Sequence, residues 1–151
     1  MIESVLIGPA LIDDASAIAA LHRTVLDGSW QASAIADLLQ DSMALCCVAR
    51  CRSSIAGFAL CRLAADECEV LSCAVDPAFR RMGTARLLLQ AAFDAAARRG
   101  GRHAFLEVAE NNAPARGLYS GLGFQIVGRR PRYYRLNGGE SVDALIMNRV
   151  L

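Results

Sequence analysis

Seven short apolar runs interleaved with four helical patterns predict a mixed α/β sheet, mostly antiparallel, with one parallel pair and helices on both faces. Three observations carry this. Met43–Arg50, Ile55–Leu63 and Glu67–Val75 follow one another across short polar turns, as the strands of an antiparallel meander do. One long helical pattern then separates Glu67–Val75 from Ala104–Ala109, and a strand–helix–strand unit crosses over to a parallel neighbour. No linker, repeat or low-complexity tract interrupts the 151 residues, so 1–151 reads as a single domain.

In chain order, Ser4–Ile7 is a short first strand ended by Gly8-Pro9. Asp13-Asp14 offers an N-cap to a helix carrying Ile18, Leu21 and Val25 at helical spacing, which Asp27-Gly28-Ser29 breaks. A second helix from Trp30 places Ile35, Leu38 and Leu39 on one face. The turn Arg52-Ser53-Ser54 joins the next two strands as a hairpin, and Ala64-Ala65-Asp66 leads into Glu67–Val75. The third helix begins near Thr84, with Leu87, Leu88, Ala91, Ala92, Ala95 and Ala96 as its apolar face. Arg98-Arg99 and then Gly100-Gly101 mark its C-terminus. Asn111-Asn112 with Pro114 opens a fourth helix, which Gly121 and Gly123 end. Phe124–Arg130 and Asp143–Val150 are the last strands, around a connection over Pro131–Glu140.

Bulk composition narrows the function classes. Hydrophobic content of 54% with 21% charged residues is that of a globular chain. A net charge of +1 gives no general reason to expect nucleic acid or an anionic membrane as partner. All 16 basic residues are arginine, so an acyl label on this chain's own amines can sit only at its N-terminus. No run approaches the roughly 18 to 20 apolar residues of a membrane span, and the start lacks the cationic opening of a secretory signal. Cys46, Cys47, Cys51, Cys61, Cys68 and Cys73 form no C-x-x-C, and His22 and His103 are remote from them in sequence. The expectation is therefore no metal site, with free thiols in a cytoplasmic protein.

The stretch with most chemical content is Arg80-Arg81-Met82-Gly83-Thr84-Ala85. It follows the apolar run ending at Val75, passes Asp76-Pro77, and opens a helix. Free backbone N–H groups and the positive helix end converge there, which suits phosphate. One glycine and no lysine exclude a Walker loop, and a dinucleotide fingerprint needs three glycines after a first strand. On these six residues alone, a phosphate loop and a solvated surface turn both stay open.

Strand, turn and helix together resemble the GNAT superfamily of acyl-CoA-dependent N-acetyltransferases, whose pyrophosphate loop reads [RQ]-x-x-G-x-[GA]. The second half of the chain is similar to the bacterial ribosomal-protein-alanine N-acetyltransferases. The shared residues are Leu106-Glu107-Val108, Asn111-Asn112-Ala113-Pro114-Ala115, Gly117-Leu118-Tyr119, Leu122-Gly123-Phe124 and Asp143-Ala144-Leu145-Ile146-Met147. Arg129-Arg130 and Tyr133-Tyr134 fall on that group's basic Y-Y segment, and Trp30 on a tryptophan that opens its second helix. This chain departs at Ser29-Trp30-Gln31 (Pro-Trp-Ser in the group), at Ala109 (commonly Arg), and in a longer Arg129–Glu140 connection. All three lie where an acceptor would be contacted.

The resemblance implies a GNAT fold whose central parallel pair is splayed. It implies acetyl-CoA as co-substrate, held by Arg80, Arg81, Met82, Gly83, Thr84, Ala85 and Arg86, by backbone groups of Cys73, Ala74 and Val75, and by Asn112. It implies direct attack of an amine on the thioester in a ternary complex, with Glu107 as base and Tyr119 as acid. From the residues themselves, Glu107 interrupts an apolar strand and is equally a solvent-facing or arginine-paired residue. Tyr119 is equally a core aromatic beside Leu118 and Leu122. Asn112 also serves as a helix cap. An acyl-cysteine at Cys73 is disfavoured by its apolar setting and the absence of a nearby histidine in sequence.

The acceptor implied is the α-amine of a protein or peptide N-terminus, such as that of a ribosomal protein. A small-molecule amine or lysine acceptor is the alternative, and a non-catalytic acyl-CoA-binding domain a third reading. Arginines 129, 130, 132 and 135 around two tyrosines could serve a nucleic-acid surface; the resemblance makes them the rim of the acceptor cleft.

Overall fold

A computed structural model describes residues 3–26, 30–136 and 138–151. Among these residues seven strands form one sheet: β1 (Leu6–Pro9), β2 (Ala44–Cys51), β3 (Ser54–Ala64), β4 (Glu67–Val75), β5 (His103–Ala109), β6 (Gln125–Arg135) and β7 (Ser141–Val150). Four α-helices accompany them among the described residues: α1 (Ala15–Val25), α2 (Ala32–Gln40), α3 (Thr84–Arg98) and α4 (Ala113–Gly121). The sheet order is β1-β2-β3-β4-β5-β7-β6, and β4–β5 is its one parallel pair among them. This is the fold class that the order of the apolar runs predicts. The expected helix break at Asp27-Gly28-Ser29 lies outside the described residues.

Strand alternation sends successive side chains to opposite faces, and the two faces carry two cores. Leu45, Cys47 and Ala49 of β2 and Ala104, Leu106 and Val108 of β5 pack with α3, Leu122 and Phe124. Val48 of β2 and Phe58 and Leu60 of β3 pack with Ile18 and Leu21 of α1 and Ile35 of α2 on the other side.

Four local expectations need correction. β1 runs through Gly8-Pro9 to pair with Val48 and Cys47, because it is the outermost strand and a proline can sit on an unpaired edge. Asp14 does not cap α1; its carboxylate accepts from Leu11 N–H at 2.7 Å and from Arg50 Nη1 at 2.9 Å. The buried stripe of α3 is Leu88, Leu89, Ala92, Phe93 and Ala96, whereas Leu87 is 52% exposed. Half of the connection expected over Pro131–Glu140 belongs to β6, which continues to Arg135 past a bulge where residues 131–133 face Asp143 alone. A proline is accommodated there because bulged residues leave the hydrogen-bond ladder.

Candidate acyl-transfer site

β4 and β5 pair only at Glu67–His103, Cys68–Ala104 and Glu69–Phe105. Immediately afterwards β4 takes up an extra residue: Leu60 of β3 pairs with Ser72 but Cys61 pairs with Val70, leaving Leu71 as a bulge. A bulge bends its strand and strengthens the local twist. β4 therefore departs from β5 at that level. Cys73, Ala74 and Val75 stay paired to β3 on one edge and have no β5 partner on the other. Glu107 lies on β5, two residues past the last β4 pair.

Past Val75 the chain makes a short 3-10 turn at Pro77–Phe79, with Asp76 Oδ1 accepting from Ala78 N–H at 2.9 Å. Arg80 Nε donates to Val75 C=O at 3.3 Å and ties the turn to the strand end. Arg81 (φ +62°) and Gly83 (φ +76°) are both left-handed, so the backbone winds around Met82 before α3 begins. Gly83 C=O accepts from Leu87 N–H, and the N–H groups of the first turn of α3 have no intrahelical acceptor. A Cβ built on Gly83 meets nothing within 4 Å, so the backbone here faces open space. Thr84 is buried and donates Oγ1–H to Phe79 C=O at 3.3 Å, so it can offer a ligand only its backbone N–H.

Val75, Arg80, Arg81, Gly83, Thr84, Ala85 and Arg86 line one cleft of about 440 Å³. Phe79, Pro114 and Leu118 complete its walls, residues that no charge or glycine pattern marks in the sequence. Met82 is not part of this lining and is 41% exposed. Asn112 is also outside it; its Oδ1 accepts from Ala115 N–H at 3.2 Å as the N-cap of α4. The Arg86 guanidinium lies against Gly121, where a Cβ would come within 3.3 Å of Nη1. The cleft thus combines a positive helix end, unpartnered N–H groups and arginines, an arrangement suited to a polyanion.

Tyr119 and Glu107 approach the opening from different faces of the sheet. Leu106 and Val108 are buried toward α3, so alternation turns Glu107 to the other side. There its side chain is 25% exposed and Oε1 lies 3.0 Å from Arg130 Nε. Tyr119 packs on the α3 side with its ring edge against Phe124, centroids 5.8 Å apart. Burial pushes the Tyr119 phenol well above its ordinary pKa, with Cys73, Cys61 and Tyr134 adding to the rise. A phenol so placed holds its proton at neutral pH. Desolvation likewise pushes the Cys73 thiol up to about 12, which leaves it without nucleophilic thiolate.

Two further groups bear on the site. Tyr134 lies close enough to Glu107 for that carboxylate to help raise its phenol, behind burial as the larger cause. Ser72 Oγ, beside the β4 bulge, is buried without a hydrogen-bond partner among the described residues. Tyr134 belongs to the Tyr133-Tyr134 pair that the sequence marks, and only Ser72 was missed, because a lone serine in an apolar strand gives no signal.

A family profile described as acetyltransferase (GNAT) family matches residues 15–124, well over half of the chain. The chain belongs to this family. It is 36% identical over 96 residues to a [ribosomal protein bS18]-alanine N-acetyltransferase of Haemophilus ducreyi, covering 64% of this chain and 66% of that protein. It is 42% identical over 105 residues to the N-alpha-acetyltransferase RimI of Mycobacterium tuberculosis, covering 67% of this chain and 63% of that protein. In both, the chain spans just under two thirds of the relative's length. The crystal structure of the ribosomal-protein-S18-alanine N-acetyltransferase from Escherichia coli superposes with a TM-score of 0.88 at 29% identity, covering 97% of this GNAT chain and 93% of the other.

Proposed function

We propose that this GNAT chain, acting as one domain over 1–151, transfers the acetyl group of acetyl-CoA to the α-amine of a protein N-terminus, in the manner of a ribosomal-protein-alanine N-acetyltransferase. The observation that carries the reading is the opening between β4 and β5, with an arginine-lined cleft at the end of β4 and Glu107 on β5 just past the last β4 pair. In this reading the first turn of α3, Arg80, Arg81 and Arg86 take the CoA phosphates. The free edge of Cys73, Ala74 and Val75 holds the pantetheine arm and polarises the thioester carbonyl. Met82 and Asn112, outside the cleft lining, contribute at its margin.

The chemistry follows from protonation states. Only a neutral amine attacks a thioester, and an α-amine with a reference pKa near 8 is about one tenth neutral at pH 7, against well under a thousandth for a lysine. A carboxylate acting directly or through water suffices to complete that deprotonation. The amine nitrogen then bonds to the carbonyl carbon, Glu107 takes the nitrogen's proton, and the C–S bond breaks. Tyr119, held protonated by burial, supplies the proton that the departing thiolate takes up and regains one from solvent as Glu107 releases its own.

All six cysteines are free thiols, which suits a reducing compartment, the cytoplasm in this reading. Among the described residues no helix is long and apolar enough to cross a membrane. The proposed protein acceptor agrees with the names of the relatives above and with Arg130 and Tyr134 of β6 beside Glu107. Acetyl-CoA turnover against peptides varied at their first residues, with α-blocked and lysine-containing controls, tests it. Turnover confined to free N-termini is expected; activity only on lysine or small amines would overturn the acceptor assignment.

A further inference from the structure

Arg130 starts two strands away from the carboxylate it meets. β7 lies between β5 and β6, with Glu107 opposite Ile146 and Ile146 opposite Gly128. Arg130, two residues along β6 from Gly128, reaches back over β7 to Glu107. Gly128 leaves room for Ile146 on the strand between them, since a Cβ there would sit 3.2 Å from Ile146 Cδ1.

The base of Arg130 is fixed and its side chain is half exposed. Directly after it comes the β6 bulge, where Arg132 is left-handed at φ +55°. Asp143 closes that bulge by accepting from Arg132 N–H at 2.9 Å and from Arg129 Nη1 at 2.7 Å, and Arg129 also pairs with Glu110 at 2.9 Å. The Arg130 side chain is 55% exposed. Its guanidinium carbon lies 5.5 Å from the centre of the Tyr133 ring, so it touches a second partner besides Glu107. Tyr133 in turn meets Tyr134 edge to face at 5.1 Å.

Resting on the amine-acceptor reading above, we infer that Arg130 is an internal stand-in for the acceptor's ammonium: it occupies Glu107 until a protonated amine takes its place and leaves it on the Tyr133 face alone. At pH 7 an α-amine arrives mostly as the ammonium. It must reach a carboxylate that already holds a cation, so binding is an exchange of one cation for another. A half-exposed ion pair is weakly held and gives way to a competitor of the same charge. A neutral molecule, water included, gains nothing by displacing it. Arg130 is in this sense a specificity-determining residue, selecting cationic acceptors and keeping the carboxylate from serving as a base in their absence.

The test is arginine ¹⁵Nε NMR on the full chain, with the Arg130 signal assigned by its loss in Arg130→Gln. The Nε–H signal should move in Glu107→Gln and again when a peptide with a free N-terminus is added at millimolar concentration, but not with its Nα-acetylated form. A signal that the free-amine peptide leaves in place overturns the inference. Kinetically, Arg130→Gln should lower the acceptor KM roughly two- to five-fold, the size of an exposed ion pair. The acetyl-CoA KM should hold, and Arg130→Lys should restore the original acceptor value. A raised or unchanged acceptor KM in Arg130→Gln overturns it as well. Displacement of the signal without any acetyl transfer would count against the transferase reading alone. Transfer without displacement would count against the exchange alone.

Discussion

Tyr119 and Phe124 meet edge to face, their ring centroids 5.8 Å apart and their planes at 62°, and this contact fixes the phenol at the end of α4. The backbone reinforces it, because Tyr119 C=O accepts from both Leu122 and Phe124 N–H. Tyr119→Phe keeps the ring and the contact while removing only the hydroxyl. Acetyl transfer is expected to slow by roughly 10²-fold, the low end for loss of a positioned acid. Acetyl-CoA affinity by calorimetry and the thermal midpoint should hold. Rates equal to the parent protein would reduce Tyr119 to a packing residue.

Glu107→Gln retains shape and an oxygen that can still accept from Arg130, but cannot take a proton. At pH 7 the rate should fall roughly 10²-fold or more. The deficit should shrink toward pH 9, where solvent has already deprotonated most of an α-amine. A variant with parent rates from pH 6 to 9 would remove Glu107 from the mechanism.

At Gly83 the φ of +76° and the open space beyond the backbone separate two effects. Gly83→Ala carries only the left-handed strain, about 1 kcal/mol, and should bind CoA nearly as before. Gly83→Glu carries the same strain and adds a carboxylate in the space where phosphates are proposed to dock. It should melt close to Gly83→Ala yet lose CoA binding in calorimetry. Retained affinity would refute the phosphate assignment.

What could be read from the sequence was whatever depends on neighbours in the chain. Glu67–Val75 has the same bounds in sequence and structure, and Asn112 caps α4 as its spacing before Pro114 predicts. What could not be read depends on strand order. Pro9 and Pro131 look like strand breakers until β1 and β6 prove to be the two outer strands of the sheet. The Glu107–Arg130 pair is equally hidden: 23 positions separate the two in sequence, and they meet only because β7, last in the chain, inserts between β5 and β6. The turn at Arg80–Ala85, Glu107 and Tyr119 can each be named from sequence. The bulge at Leu71, where β4 leaves β5, has no such signal in the sequence.

Asp14 illustrates the same limit and gives a prediction about stability. It looks like a helix cap, yet its carboxylate bridges Leu11 N–H and both terminal nitrogens of Arg50, joining the start of α1 to β2. The hydrogen bond from Arg50 holds the Asp14 carboxyl below its ordinary pKa, against the opposing effect of burial, with Leu11 N–H assisting. The folded protein therefore binds this proton less readily than the unfolded chain. The stabilisation is complete above the unfolded aspartate pKa of about 4 and is lost as pH falls through the lower folded value. Asp14→Asn should lower stability by about 1–2 kcal/mol at pH 7, the size of a charge-assisted hydrogen bond partly screened by solvent. In urea unfolding, the gap between the two proteins should stay constant from pH 7 down to about 5 and narrow below about pH 4. A gap independent of pH over that range would mean that Asp14 contributes through shape and not through its charge.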